Sequence, residues 1–441
     1  MSGLVVAAVG FGVMLGLIAL RMPVALAMLS VGSGGYIYLT GWLPFLNYMK
    51  STPYYLFSNY TLSVIPLFIL MGAFAERSGL STDLFRAASQ AVGRRPGGLG
   101  MALIGACAAF GAICGSSVAT TATFSRAALP ELKRYGYDMG FATATVAAGG
   151  TLGILIPPSV ILVVYAITTE QNIVKLFQAA LIPGLMAAAL YCVVIALMVR
   201  RDPKLGPPAP IEVRSAEEKR STAVAVWMAL LIAVIVVGGI YGGVFTPTEG
   251  AAVGAVAMLL AGLARRTLGW QGIKAALLQT AETSAMIFAI LLGAEVFDAF
   301  LAFSQLPATA AELIAQSGLP PHAIVIALLA FYILLGAVMD ELAMILLTLP
   351  VFFPVVSALD LGMPAEDVAI WFGILVLMVV GIGLTAPPIG LNVFVVSTIA
   401  RDVPITSTYR RVLPFLAADA MRLALVVIFP GLALWLVRLL N

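Results

Sequence analysis

Apolar residues dominate this chain in runs of helix length, parted by short polar joints. Ten such runs fall at about 3–20, 23–46, 56–75, 139–169, 177–199, 222–243, 250–264, 275–303, 366–400 and 413–440. A helix needs roughly 20 apolar residues to cross the hydrocarbon of a bilayer, so the pattern predicts about ten membrane spans. Two further runs, 97–129 and 321–357, are too long for one span and are interrupted near their middles. The first breaks between Gly111 and Ser117, the second around Met339, Asp340 and Glu341. Each is expected to be a helical hairpin that enters the membrane and returns.

Two of the spans carry the same punctuation. Gly153 is followed by Pro157 and Pro158, and Gly383 by Pro387 and Pro388, at an identical offset of 230 residues (383 less 153). A proline pair removes two backbone donors and clashes with the preceding turn, so each helix must break in mid-span. Lipid does not tolerate unpaired backbone, so such breaks belong where they line a cavity or an ion site. Paired broken helices in the two halves of a repeat point to a transporter's binding site.

Charge placement orients the pieces. Cytoplasmic loops are enriched in Lys and Arg. The connector 200–221 holds Arg200, Arg201, Lys204, Arg214, Lys219 and Arg220, with Pro203, Pro207, Pro208 and Pro210, and is expected to be a cytoplasmic linker between the halves. Arg77, Arg86, Arg94 and Arg95 precede the first hairpin, and Lys133 and Arg134 follow it, so it opens from the cytoplasm. The flanks of the second, 304–320 and 358–366, contain no Lys or Arg, so it enters from outside. The expected fold is thus an all-α polytopic membrane protein, a single transporter domain over 1–441 with two oppositely oriented re-entrant hairpins in an inverted repeat. The first half spans 56–169, with hairpin 97–129 and broken helix 139–169. The second spans 275–400, with hairpin 321–357 and broken helix 366–400.

Composition narrows the chemistry. The chain is 61% hydrophobic and 10% charged, far from the roughly 25% charged residues of a soluble domain. Its net charge of +3 fits basic cytoplasmic loops, and no basic cluster interleaved with aromatics suggests nucleic acid. Cys107, Cys114 and Cys192 lie in apolar segments without Cys-x-x-Cys spacing, so no disulfide framework is implied. The single histidine, His322, follows Pro320 and Pro321 at an expected helix start, which argues against a histidine metal site or triad. No phosphate-binding Gly-x-x-x-x-Gly-Lys-Ser/Thr loop is present. Met1 to Leu20 lacks a basic leader and a small-x-small cleavage site and is expected to be a retained first helix.

Polar residues at mid-membrane are the candidates for function. The first hairpin tip runs Gly115, Ser116, Ser117, then Thr120, Thr121 and Thr123. Hydroxyls there pack helices, or meet a ligand between helix ends whose N-termini attract carboxylates and whose C-termini attract cations. Asp340 sits at the second tip, where an acid costs about 2.5–3.5 kcal/mol on insertion scales and so faces a cavity or caps a helix. Glu341 points elsewhere if both are helical. Gly383, Thr385 and Asn392 surround the second break, and Thr151 and Ser159 the first. Freed carbonyls with one or two hydroxyls suit Na⁺ rather than a proton relay. Glu249, two residues after Pro247, reads as a helix N-terminus or an interface acid. Arg126 is expected to snorkel to the cytoplasm, and Glu76 with Arg77 to mark a span end.

These motifs resemble the large membrane subunits (DctM-like, M subunits) of tripartite ATP-independent periplasmic (TRAP) transporters. The resemblance is carried by Ile65–Phe68 with Gly72, Gly115–Thr120, Ile156–Ser159, Phe245–Glu249, Leu347–Pro354 and Thr385–Asn392, in order over nearly the whole chain. It implies an elevator-type ion-transporter architecture, with a scaffold and a mobile domain holding both hairpins. It implies two partners, a small four-helix membrane subunit (DctQ-like), separate here, and a periplasmic substrate-binding protein (DctP-like). Function would be sodium-coupled uptake of an organic anion across the bacterial inner membrane, without ATP, enzymatic activity or any cofactor beyond the coupling ion. Sodium would lie near Ser116 and Asp340 and, separately, near Gly383 and Thr385. Substrate would lie among Ser116, Ser117, Thr151, Pro157, Pro158, Ser159, Pro387, Pro388 and Asn392. The rival readings are a stand-alone sodium- or proton-coupled carboxylate transporter or antiporter of this architecture, and an intramembrane hydrolase using Asp340 with Glu341 or Ser116. The hydrolase lacks a second well-placed buried acid in the sequence.

Overall fold

The computed structural model describes residues 3–209, 215–316 and 318–440. Pro210 and Arg214 of the expected linker lie outside the described residues. Among the described residues every regular element is a helix.

Helices α1 (Gly3–Ala19), α2 (Val24–Thr40) and α3 (Trp42–Phe57) precede a 3-10 turn at Tyr60–Ser63 that runs into α4 (Val64–Arg77). Short α5 (Leu80–Val92) buries Leu80, Leu84 and Phe85 and exposes Arg86. The arms of the first hairpin are α6 (Gly98–Cys114) and α7 (Ser117–Arg134), followed by α8 (Met139–Leu155), α9 (Val160–Thr168) and α10 (Ile173–Arg201). Beyond a second 3-10 turn at Pro203–Leu205 come α11 (Ala216–Tyr241), α12 (Pro247–Ala264), α13 (Trp270–Ser304) and α14 (Leu306–Gln316). The second hairpin is α15 (Pro321–Gly336) and α16 (Glu341–Ser357), and α17 (Ala365–Gly383), α18 (Leu391–Ile399), α19 (Ile405–Ile428) and α20 (Gly431–Leu440) complete the chain.

Among the described residues six helices are long and apolar enough to cross a membrane: the 3-10 turn with α4 (Tyr60–Arg77), then α10, α11, α12, α13 and α17. Two bent pairs join them, α8 with α9 at 44° and α19 with α20 at 58°. Together with α1 and α2, of 17 residues each, these fall in order on the ten apolar runs. Three features depart from the sequence reading. The bend before α20 was not expected; Pro430, which lacks an N–H, stands at it. Residues 42–57 form a helix of their own. The stretch 304–320, a flank of the second hairpin for which no element was expected, contains α14.

The helices pack in two groups. In one, α13 lies along α2 and α4, while α12 packs on α4 and α11, and α1 on α2. In the other, α8 packs on α6, α7 and α19, α10 on α19 and α20, and α15 on α17. Residues Val368 to Gly383 of α17 are all buried, which is why its sequence is apolar all round rather than on one stripe. Trp371 there satisfies its indole N–H on the Val426 carbonyl at 2.9 Å. On the outside the polarity is inverted: Trp227, Leu231 and Val234 of α11 are exposed, as a lipid-facing surface requires. Glu249 closes a capping box with Thr246 at the start of α12, donor and acceptor exchanged both ways, which is the helix-terminal role read from Pro247.

Candidate functional site

Each hairpin tip meets the broken helix of its own half, and the repeated glycines are what allow the approach. A Cβ on Gly153 would stand 2.5 Å from the Ser116 carbonyl oxygen, and one on Gly383 2.7 Å from the Gly336 backbone. Both distances are closer than any real Cβ contact, so neither position admits a side chain unless the backbone moves. Gly115 turns the first tip at φ +65°, a left-handed conformation open to glycine without steric cost. The second tip is further tied by the Ile389 N–H donating to the Ala337 carbonyl at 3.3 Å. The Pro157–Pro158 and Pro387–Pro388 bonds are both cis.

After three of the four interruptions the chain restarts on a helix with a side-chain cap, while α18 starts from Gly390 without one. Ser116 caps α7 and accepts from the Ala119 N–H, Ser159 caps α9 and accepts from Leu162, and Asp340 caps α16. Asp340 Oδ1 takes both the Leu342 and the Ala343 N–H, at 3.0 and 3.1 Å, leaving its other oxygen outside the cap. This is the behaviour expected of Ser and Asp at helix starts.

A cavity of about 520 Å³ opens between the two tips and the face of α4 and α13. Ser116, Asp340 and Glu341 reach its wall from the tips, Val160 and Leu391 from the helices that follow the breaks, and Glu76 and Gln279 from α4 and α13. Of the residues expected to hold sodium or substrate, Ser116 and Asp340 are therefore brought to one cavity. The others are not on its wall. Ser117 and Asn392 are buried against one another, Asn392 donating to the Ser117 hydroxyl at 2.8 Å and to the Ala147 carbonyl at 3.2 Å, so they join the two halves across 275 residues. Pro157, Pro158 and Ser159 are fully buried behind the cavity, whereas Pro387 and Pro388 are exposed. Gly383 and Thr385 are buried, with Thr385 donating to the Gly381 and Ile382 carbonyls.

Thr151 belongs to a different structure. Its hydroxyl lies 3.0 Å from Tyr191, which donates to Asp419 at 2.7 Å, and Asp419 pairs with Arg422 at 2.8 Å. Arg422 also donates to the Pro183 carbonyl at 3.2 Å. This buried chain welds α8, α10 and α19 together. Asp419 is the buried acid the sequence reading missed; the Asp-x-x-Arg spacing of an i, i+3 pair inside an apolar helix was its signal.

Three residues that the sequence analysis did not assign to sodium or substrate, Glu341, Arg126 and Glu76, also line the cavity. Glu341 shares the cavity wall with Asp340 because only Glu341 is helical, Asp340 being the extended cap. One Glu341 carboxylate oxygen is buried without a partner among the described residues. Arg126, expected to snorkel, is 66% exposed yet lines the cavity, with Glu76 at 3.6 Å. Glu76 and Arg77, read as a span end, both engage Gln279, at 3.5 and 2.8 Å. Among the described residues no three His, Cys, Asp or Glu cluster as a metal site.

Comparison with known proteins places this geometry. The family model described as tripartite ATP-independent periplasmic transporter, DctM component, matches residues 11–432. The C4-dicarboxylate TRAP transporter large permease protein DctM of Pseudomonas aeruginosa is 38% identical over 85% of this chain and 86% of its own length. The isethionate TRAP transporter permease protein DctMQ of Oleidesulfovibrio alaskensis is 33% identical over 92% of this chain, which spans 62% of that longer protein. Among solved structures, the Alcanivorax borkumensis YdaH transporter, whose crystal structure is described as having an unusual topology, aligns with a TM-score of 0.65 at 15% identity, covering 89% of this chain and 90% of that one. That likeness is one of fold.

Proposed function

This chain belongs to the DctM component family of tripartite ATP-independent periplasmic transporters and is a large permease subunit; we propose that it imports a carboxylate-bearing solute by sodium symport. The observation that carries the proposal is the cavity walled by both hairpin tips on one side and by α4 and α13 on the other. A site shared between two helix groups changes its exposure when one group moves against the other. In the proposed mechanism the group holding both hairpins travels as a rigid body past the group built on α13, an elevator movement. Sodium is held by oxygens at the Ser116–Asp340 wall and, separately, by the Gly383–Thr385 segment, where interrupted helices offer backbone carbonyls. Neutralising Asp340 by a cation lowers the cost of carrying a carboxylate through the membrane. The solute's carboxylate is attracted by the N-terminus of α7 at the first tip.

The solute arrives on a periplasmic binding protein and the permease works with a small membrane subunit in the inner membrane, in keeping with a relative named as a fused DctMQ permease. Uptake into proteoliposomes holding this chain and its small subunit tests the reading. Labelled succinate, isethionate, sialic acid, a keto acid, a sugar acid and ectoine are offered with and without the cognate binding protein, under an inward sodium gradient. The expected result is uptake of one of them that requires both sodium and the binding protein. Uptake indifferent to the binding protein would assign the chain to the stand-alone carboxylate transporters instead.

A further inference from the structure

We propose that Arg126 is the residue that recognises the solute's carboxylate inside the cavity, exchanging Glu76 for the incoming anion. The inference rests on the transport reading above and names a determinant within it.

Three observations point to Arg126. Among the described residues it is the only Lys or Arg on the cavity wall, where the remaining charged groups, Glu76, Asp340 and Glu341, are all acids. An anion entering a space faced by three carboxylates is repelled unless a positive charge is held there. Its position is the second observation. Ser116, Ala119, Ala122 and Arg126 all reach the cavity, at spacings of three, three and four that place them on one face of α7. Ten residues of helix separate the tip from Arg126 by about 15 Å, and helical side chains lean toward the N-terminus, shortening the gap. With alanines at 119 and 122 the wall between is clear. The helix N-terminus at Ser116 and the guanidinium thus form two positive points along one track, spaced for a small organic anion.

The third observation is the quality of the existing pairing. Arg126 and Glu76 stand at 3.6 Å, beyond the 2.7–2.9 Å of a charge-assisted hydrogen bond. Glu76 has its own support, Gln279 donating to it at 3.5 Å while Arg77 holds Gln279 at 2.8 Å. Neither contact of Glu76 is close, so Arg126 exchanges it for a bidentate partner at little cost. The contact also crosses the two helix groups, from the first hairpin to α4, so anion binding and freedom of the hairpin group are coupled. Basic residues at both ends of the first hairpin put this end of the cavity on the cytoplasmic side, where solute is released.

The test measures binding of labelled solute to the detergent-purified permease and small subunit in sodium, using whichever of succinate, isethionate, sialic acid and the other panel solutes the wild type takes up. Arg126→Gln is expected to weaken affinity by about 10- to 100-fold, the loss of one charge-assisted contact. Arg126→Lys recovers part of it. Glu76→Gln is expected to act in the opposite direction, tightening binding by roughly 2- to 5-fold as a competing ion partner is removed. A wild type that takes up no solute overturns the transport reading itself. A transporting wild type with unchanged affinity in Arg126→Gln overturns this inference alone. Equal slowing of turnover by both variants at constant affinity would make the pair a latch between helix groups and also overturn it. An effect seen in phosphatidylglycerol nanodiscs and absent in phosphatidylcholine would assign Arg126 to a lipid phosphate instead.

Discussion

Replacing Arg422 by Met tests whether the buried chain behind the first break holds three helices together. The Asp419 and Arg422 side chains are 4% and 1% exposed and 2.8 Å apart. Removing one partner of such a pair leaves an uncompensated buried charge, at a cost of about 3–5 kcal/mol, whereas replacing both by apolar groups of similar volume is near neutral. The Tyr191 hydroxyl, which donates to Asp419, keeps Thr151 as a neighbour in either case. The Pro183 carbonyl loses its Arg422 donor in both, so about 1–2 kcal/mol of damage remains in the double variant. Arg422→Met and Asp419→Leu are each expected to lose about 3–5 kcal/mol, and the double variant only about 1–2 kcal/mol. Unfolding of the purified protein in detergent, followed by tryptophan fluorescence, reads this cycle directly. A double variant less stable than either single one would refute the argument, because the pair would then stabilise by its own attraction rather than by mutual neutralisation.

Other perturbations separate packing from function. Gly153→Ala and Gly383→Ala each force a methyl into backbone and are expected to cost about 1–3 kcal/mol, while Gly105→Ala, inside α6 where a Cβ meets nothing within 4 Å, leaves melting unchanged or raises it; equal effects at all three would sink the close-approach reading. Asp340→Asn keeps a capping oxygen for Leu342 and Ala343 and removes the charge, so melting is expected to hold while sodium-dependent uptake falls at least tenfold. Uptake at the wild-type rate would exclude the carboxylate from the sodium site. Asn392→Ala strands the Ser117 hydroxyl and removes the side-chain bond to the Ala147 carbonyl, for a loss of about 1–3 kcal/mol in the same melting assay. The Lys133 ammonium, 2.5 Å from Asp402, holds that carboxyl below the usual carboxylate range. A depressed folded-state pKa gives stability that is present above the unfolded value of about 3.9 and lost as pH falls through the folded one. Asp402→Asn should accordingly differ from wild type across pH 5–8 and converge with it in acid; a difference that persists at pH 2 would contradict the assignment.

Some of the site was legible before the fold. Ser116 and Asp340 stand next to Gly115 and beyond Met339 at the middles of over-long apolar runs, so a helix interruption and a polar group were visible together. The place of Arg126 and Glu76 on the cavity wall was not legible, because a charged residue in the second half of an apolar helix ordinarily reaches water or headgroups. Whether such a residue meets lipid or a cavity depends on the neighbouring helix, here α13, whose Gln279 lies 203 residues from Glu76 in sequence. Thr151 was misplaced for a related reason: a hydroxyl beside a proline break suits a ligand, and only the packing of α10 and α19 supplied Tyr191 and Asp419 instead.

Taken alone, the amino-acid sequence determined the all-helical membrane-spanning class, the two hairpins and the two broken helices. Span length, helix breaking by proline and the exclusion of charge from hydrocarbon are local properties, set by residues within some 20 positions of one another. The tertiary structure alone decided which polar groups share a cavity and which neutralise each other in the interior. Those choices depend on distances between helices far apart in the chain. In a bilayer, where apolar residues cover both the core and the surface, hydrophobicity does not say which face of a helix turns inward.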